Sequence, residues 1–218
     1  MNVNQVSYGV RLDVASMPNV FAPQSVQPYT PPTSGIDNLG ITSKDRFQVR
    51  GMGEFEIDFE GYVRVARSQP TCDGWEGCEV YTNLIEMCMV GRSEPIGTII
   101  VTLNPDFLST GQIRTPFVGD SPTAPKACRM AVGAQFRLPK LNTTLFNKEP
   151  IELTIDDVRA IPPAGNPGVG RIYEVLPLYS KDAPETQPVA YLTALTFAMG
   201  VYITTDDIAR IRTAAELD

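Results

Sequence analysis

The sequence predicts an all-β protein, namely a predominantly antiparallel β-sandwich or jelly-roll-like domain with an extended N-terminal arm and a short C-terminal helix. Apolar and polar residues alternate with period two in several stretches, which is typical of half-buried strands. The chain has 218 residues with 19 prolines and 17 glycines, a composition that suits many short connections between strands. One β domain of this length is common. We therefore assign residues 1–45 to the arm, 46–203 to the domain and 204–218 to the helix.

The predicted arm is rich in proline. Five prolines fall between positions 18 and 32, and proline removes backbone donors and favours extended conformations. Phe21, Val26 and Tyr29 recur between them. We expect these three side chains to pack on a surface, either of the domain itself or of a neighbouring subunit; the alternative is a flexible tail.

The longest alternation runs from Arg46 to Arg67. Its odd positions are apolar or glycine from Phe47 to Val65, while its even positions are mostly charged or polar. A two-residue hairpin turn would exchange the two parities. We therefore predict one long strand that bends at its glycines.

The even positions of this stretch include an acidic row, Glu54, Glu56, Asp58 and Glu60. Half-exposed strands commonly carry such rows, paired with basic side chains of an adjacent strand. We expect that pairing, with Arg129 and Arg137 as the candidate partners. The alternative is a site for Ca²⁺, which takes several carboxylate oxygens, or for a basic partner surface.

Further strands are predicted by the same alternation or by short apolar runs. They cover residues 79–90, 97–103, 128–138, 151–155 and 169–179. Residues 189–203 are apolar on both faces, which fits either a buried strand or a buried helix. The C-terminal helix begins after Thr204, which can cap it, and has two acidic residues in its first turn.

The four cysteines divide into two kinds. Cys72 and Cys78 enclose a short polar loop and could close as a disulfide, whereas Cys88 and Cys128 lie in apolar strands and are expected to be buried thiols. The interpretation that we place first is four reduced structural thiols, with a disulfide second, and a metal site lacks the usual C-x2-C spacing. Trp75 lies within the same loop, where it either anchors a partner or a sugar ring or covers the sheet edge.

Composition excludes several classes of function. The formal net charge is −7 and no basic cluster is visible, so we expect no nucleic-acid partner. The chain has no histidine, which excludes Ser-His-Asp and Cys-His catalysis and histidine-bearing zinc sites. We predict no catalytic, cofactor-binding or metal-binding residues.

The sequence also bears on location. The longest apolar run falls short of the roughly 18 residues that a membrane helix needs, so we expect no membrane insertion. No Sec-type signal is visible at the N-terminus, which favours the cytoplasm. A Cys72 to Cys78 bond would instead favour an exported particle.

These observations predict a non-enzymatic structural or interaction protein. We expect a self-assembling subunit, a homo-oligomer or one with a protein partner, that docks through its N-terminal arm. The alternative is a β-sandwich module that binds carbohydrate or Ca²⁺ through the Trp75 loop or the acidic row.

Overall fold

A computed structural model of the protein describes residues 33–72, 78–114, 126–158, 169–171, 175–184 and 187–216. The predicted all-β, mostly antiparallel class with a C-terminal helix is confirmed. The strands are β1 (Gly35–Val49), β2 (Gly53–Arg67), β3 (Thr71–Cys72), β4 (Cys78–Ser93), β5 (Gly97–Leu103), β6 (Thr110–Arg114), β7 (Lys126–Val132), β8 (Ala134–Leu138), β9 (Thr143–Asn147), β10 (Ile151–Val158), β11 (Val169–Arg171), β12 (Leu176–Ser180) and β13 (Ala190–Tyr202). Helix α1 spans Thr205–Glu216, and a 3-10 turn spans Pro139–Leu141.

The described strands form one closed sheet. The long strands β13, β1, β2 and β4 lie side by side as one wall. The opposite wall consists of short strands in two rows, β5-β8-β9-β12 and β6-β7-β10-β11, and each row joins β4 to β13. Because β1 also pairs with β13, the sheet returns to its first strand, although several neighbours, such as β5 and β8, are not consecutive in the chain.

Residues 46–67 form a hairpin, so the prediction of one bent strand is wrong. β1 and β2 are joined by residues 50–52, and Val49 lies opposite Gly53. A loop of three residues keeps the parity of the two strands, whereas a loop of two exchanges it. Gly51 has φ +79° in the turn, and the amide of Met52 donates to the Val49 carbonyl at 3.1 Å.

The domain also begins earlier than predicted. Residues 35–45, which the sequence assigns to the arm, belong to β1. The undecided stretch at residues 189–203 contributes strand β13, and the register between β1 and β13 shifts between Arg46 and Phe47. Residues 128–138 form two strands that meet at Gly133.

The inner faces of the two walls pack together. Phe47 contacts Phe59 and Phe136 edge to face, with ring centroids 6.2 and 5.6 Å apart. These rings belong to one cluster of buried apolar side chains that includes members from both rows of the opposite wall. The interior is therefore a packed core.

Helix α1 lies on the outer face of the long wall. Thr204 and Asp207 cap its start reciprocally: the Asp207 amide donates to Thr204 Oγ1 at 3.2 Å, and the Thr204 amide donates to Asp207 Oδ2 at 2.9 Å. A second apolar cluster joins the helix to the sheet and contains Tyr62, Cys88, Ile100, Ile208 and Ala215. In the part of the chain that the structure describes, no helix is long and apolar enough to cross a membrane.

Candidate functional site

A pocket of about 640 Å³ lies between α1 and the outer faces of β2, β4, β5, β8 and β9. We call it the α1 pocket. Its lining includes Tyr62, Glu86, Cys88, Ile100, Thr102, Leu103, Asn104, Pro105, Phe107, Gln135, Arg137, Thr144, Arg212, Ala215 and Glu216. The chain therefore brings five separate segments to one cavity.

A β-bulge sets the direction of Glu86. Arg64 lies opposite Glu86, but the next residue of β2, Val65, lies opposite Leu84. The extra residue of β4, Ile85, changes the parity of the strand. As a result Leu84 is buried in the core while Glu86 stands on the outer face beside Arg64.

Glu86 is the centre of a hydrogen-bonded cluster. Its Oε1 accepts from the Tyr62 hydroxyl and from Arg212 Nε, the latter at 2.8 Å. Its Oε2 accepts from Arg64 Nη1 at 3.0 Å. Arg212 Nε also lies 2.8 Å from the Tyr62 hydroxyl oxygen. The cluster links α1 to β2 and β4, because Arg212 belongs to the helix and the other members belong to the two strands.

The cluster fixes the protonation of its members. Burial alone would raise the pKa of Glu86, but hydrogen bonds from Arg212, Tyr62 and Arg64 outweigh it and hold the pKa at about 2. Burial and the hydrogen bond to Glu86 raise the pKa of Tyr62 to about 12. Near neutral pH the carboxylate is charged and the phenol keeps its proton.

Arg137 is a further charged residue of the pocket floor, and it has fewer hydrogen-bond partners than Glu86. Arg137 lies opposite Ile100 on one side and Thr144 on the other. Its Nη2 donates to the Ala215 carbonyl at the end of α1, at 2.9 Å. Among the described residues, Arg137 forms no salt bridge with a carboxylate.

Two carboxyl groups of β1 are buried, and Asp37 pairs with Arg67 whereas Asp45 forms no salt bridge among the described residues. Asp45 faces inward from β1, is 3% exposed, and lies opposite Ile57 and Leu195. Within the described structure its Oδ1 has no hydrogen-bond partner. Burial raises the pKa of Asp45 to about 7, although a hydrogen bond with Ser43 opposes the rise.

Several predicted site residues lie elsewhere. Phe21, Val26, Tyr29 and Trp75 are outside the described residues. Cys72 and Cys78 are joined by a disulfide with their Cα atoms 4.1 Å apart. Cys88 and Cys128 are free, buried thiols.

Two members of the acidic row of β2, Glu54 and Glu56, form salt bridges, but with other partners than predicted. Lys44 Nζ lies 2.8 Å from Glu56, and Arg46 contacts both Glu54 and Glu56. These bases come from β1, because β1 is the hairpin partner of β2. Arg129 and Arg137 lie on β7 and β8, which do not pair with β2. Among the described residues, no group of three or more His, Cys, Asp or Glu side chains could hold a metal ion.

Comparison with known proteins places the chain in a family. Residues 1–209 match the family described as "Family of unknown function (DUF6073)". The chain belongs to the DUF6073 family. No curated protein matches this DUF6073 member.

One solved structure is similar to this DUF6073 protein. It is DynF from the dynemicin biosynthesis pathway of Micromonospora chersina, with 57% sequence identity and a TM-score of 0.74. The match covers 91% of this chain and 95% of DynF.

The similarity to DynF contradicts the predicted self-assembling subunit, because DynF belongs to a biosynthetic pathway. That prediction assumed strand edges that an arm would have to cover. Instead, β1 pairs with β13 and the closed sheet satisfies those edges within the described chain.

Sequence reasoning also missed the members of the α1 pocket. Glu86 lies within the apolar stretch at residues 79–90, and a charged residue in such a stretch is the signal that could have singled it out. Tyr62 and Arg212 carry no comparable signal, because their positions on a strand and a helix are ordinary for exposed residues.

Proposed function

We propose that this DUF6073 protein binds a small organic molecule of a biosynthetic pathway in the α1 pocket. The observation that carries the proposal is the pocket itself, since about 640 Å³ falls within the range of roughly 300–1,000 Å³ that small-molecule sites occupy. The similarity to DynF supports a role in small-molecule biosynthesis.

The lining supports an amphipathic ligand. Ile100 is buried at the floor, and Leu103 and Phe107 add apolar surface near the connection between β5 and β6. Glu86 and Arg212 contribute charged groups to the same lining. Apolar walls with a few fixed polar groups are the usual composition of a ligand pocket.

We propose binding without catalysis at this site. A general acid or base works best when its pKa lies near the operating pH. The pKa of Glu86 is held at about 2 and that of Tyr62 is raised to about 12, so neither group exchanges protons near neutrality. The cluster is suited to holding α1 and shaping the pocket.

Fluorescence titration with 1-pyrenebutanol, a neutral and largely apolar probe, tests the proposal. Thr102 lies on the pocket floor, and the Thr102→Trp variant places an indole where the ligand would bind. We expect saturable binding to the wild type and a dissociation constant raised at least about tenfold in Thr102→Trp, or about 1.4 kcal/mol of binding free energy.

Thr98→Trp is the matched control. Thr98 lies on the same face of β5 but outside the pocket lining, so its variant is expected to bind like the wild type. Circular dichroism of both variants confirms that each is folded. Equal binding of the alcohol to the wild type and to Thr102→Trp contradicts the proposal, as does the absence of saturable binding of both the alcohol and 1-pyrenebutyric acid to the wild type.

A further inference from the structure

We infer that Arg137 binds a carboxylate group of the ligand, so that the α1 pocket selects organic acids over neutral molecules of the same shape. This inference rests on the proposed function, because it names the chemical class of the molecule in the same pocket. It concerns a residue that neither the family description nor the similarity to DynF assigns.

The first step is the position of Arg137. It projects from the outer face of β8 into the pocket floor, between Ile100 of β5 and Thr144 of β9. One nitrogen, Nη2, donates to the Ala215 carbonyl, which anchors the guanidinium against the end of α1. A guanidinium has five N–H groups in a planar fork, so donors remain for a ligand.

The second step is that the other pocket arginine is already used. Arg212 binds Glu86 and Tyr62. Both oxygens of Glu86 in turn accept from side chains of the cluster. The groups of the cluster therefore have few hydrogen-bond donors and acceptors left for a ligand. Arg137, in contrast, has no ion-pair partner among the described residues.

The third step is the chemistry of the surrounding floor. The hydroxyl groups of Thr102 and Thr144 line the same surface and can donate to an oxygen atom. The second carboxylate of the lining, Glu216, forms no salt bridge within the described structure. A ligand carboxylate would supply the anion that the Arg137 guanidinium lacks and could bind it bidentately.

The test compares two probes that differ in one group. 1-Pyrenebutyric acid carries a carboxylate where 1-pyrenebutanol carries a hydroxyl group. We expect the wild type to bind the acid at least about tenfold more tightly, since hydrogen bonds to a charged group contribute more than neutral ones. Arg137→Gln should lose this preference, and Arg137→Lys should keep part of it.

Arg129→Gln is the control, because Arg129 is exposed on β7 and outside the pocket lining. It should retain the wild-type preference for the acid. Unchanged binding of the alcohol to Arg137→Gln shows that the pocket is intact in that variant.

The outcomes separate the two proposals. If the wild type binds both probes equally, or if Arg137→Gln weakens the acid and the alcohol to the same degree, the inference is overturned and Arg137 only holds α1. If the wild type binds neither probe, the proposed function itself fails.

Discussion

Replacing Asp45 by asparagine should stabilise the protein at alkaline pH. The Asp45 side chain is 3% exposed in the apolar interior of the closed sheet, and burial raises its pKa from 3.8 to about 7. Because the native pKa lies above that of the unfolded chain, the unfolded state releases this proton first. The free energy of unfolding therefore falls as the pH rises from about 4 to about 7.

The size of the effect follows from the two pKa values. A rise from 3.8 to about 7, at about 1.36 kcal/mol for each pKa unit, corresponds to about 4 kcal/mol of lost stability above pH 7. At pH 5 only about 2 kcal/mol of this loss has developed. Asparagine cannot ionise, so Asp45→Asn should gain about 4 kcal/mol at pH 8 and about 2 kcal/mol at pH 5.

Urea denaturation at the two pH values, followed by circular dichroism, measures the gain. Asp58→Asn is the control, because Asp58 is exposed on β2 and should change stability little at either pH. A gain of the same size at pH 5 and pH 8, or a loss at pH 8, would refute the burial of an ionisable carboxyl group in the core.

Three further predictions follow from single contacts. Glu86→Gln should lower the free energy of unfolding by about 1–2 kcal/mol in urea denaturation, because two arginines lose their shared carboxylate. Gly61→Ala should lower the melting temperature, since a Cβ would lie 2.0 Å from the Cys88 carbonyl oxygen, whereas Gly200→Ala, with 3.7 Å to the nearest atom, should not. Cys88 and Cys128 should react with iodoacetamide only on unfolding, as read by mass spectrometry, because burial raises the pKa of each thiol.

The strands of the closed sheet were largely predictable, and the exceptions have physical causes. β5 was predicted with its observed bounds because its apolar run ends at Asn104 and Pro105. Residues 35–45 of β1 were not predicted as a strand, because Ser43 and Asp45 point into the protein core and interrupt the apolar alternation. The buried carboxyl group of Asp45 therefore lowers stability at high pH and also prevents the alternation pattern from predicting its strand.

The β1–β2 hairpin was missed for a different reason. Its loop at residues 50–52 is odd in length, so the apolar parity passes through the turn unchanged. Alternation reports which face a residue occupies and carries no information on chain reversal when the loop is odd.

The α1 pocket could not be predicted from local patterns. Tyr62, Glu86, Arg137 and Arg212 come from three strands and a helix, so their meeting depends on the pairing of strands far apart in sequence. The direction of Glu86 further depends on the bulge at Ile85. Neither the pairing nor the bulge has a local signature in the sequence.

A crystal structure of the protein grown with 1-pyrenebutyric acid tests the central claim most directly. The account predicts the pyrene ring between α1 and the outer face of β5, with the carboxylate within hydrogen-bond distance of the Arg137 guanidinium. A probe bound inside the closed sheet, or in any other place with the α1 pocket empty, would contradict it.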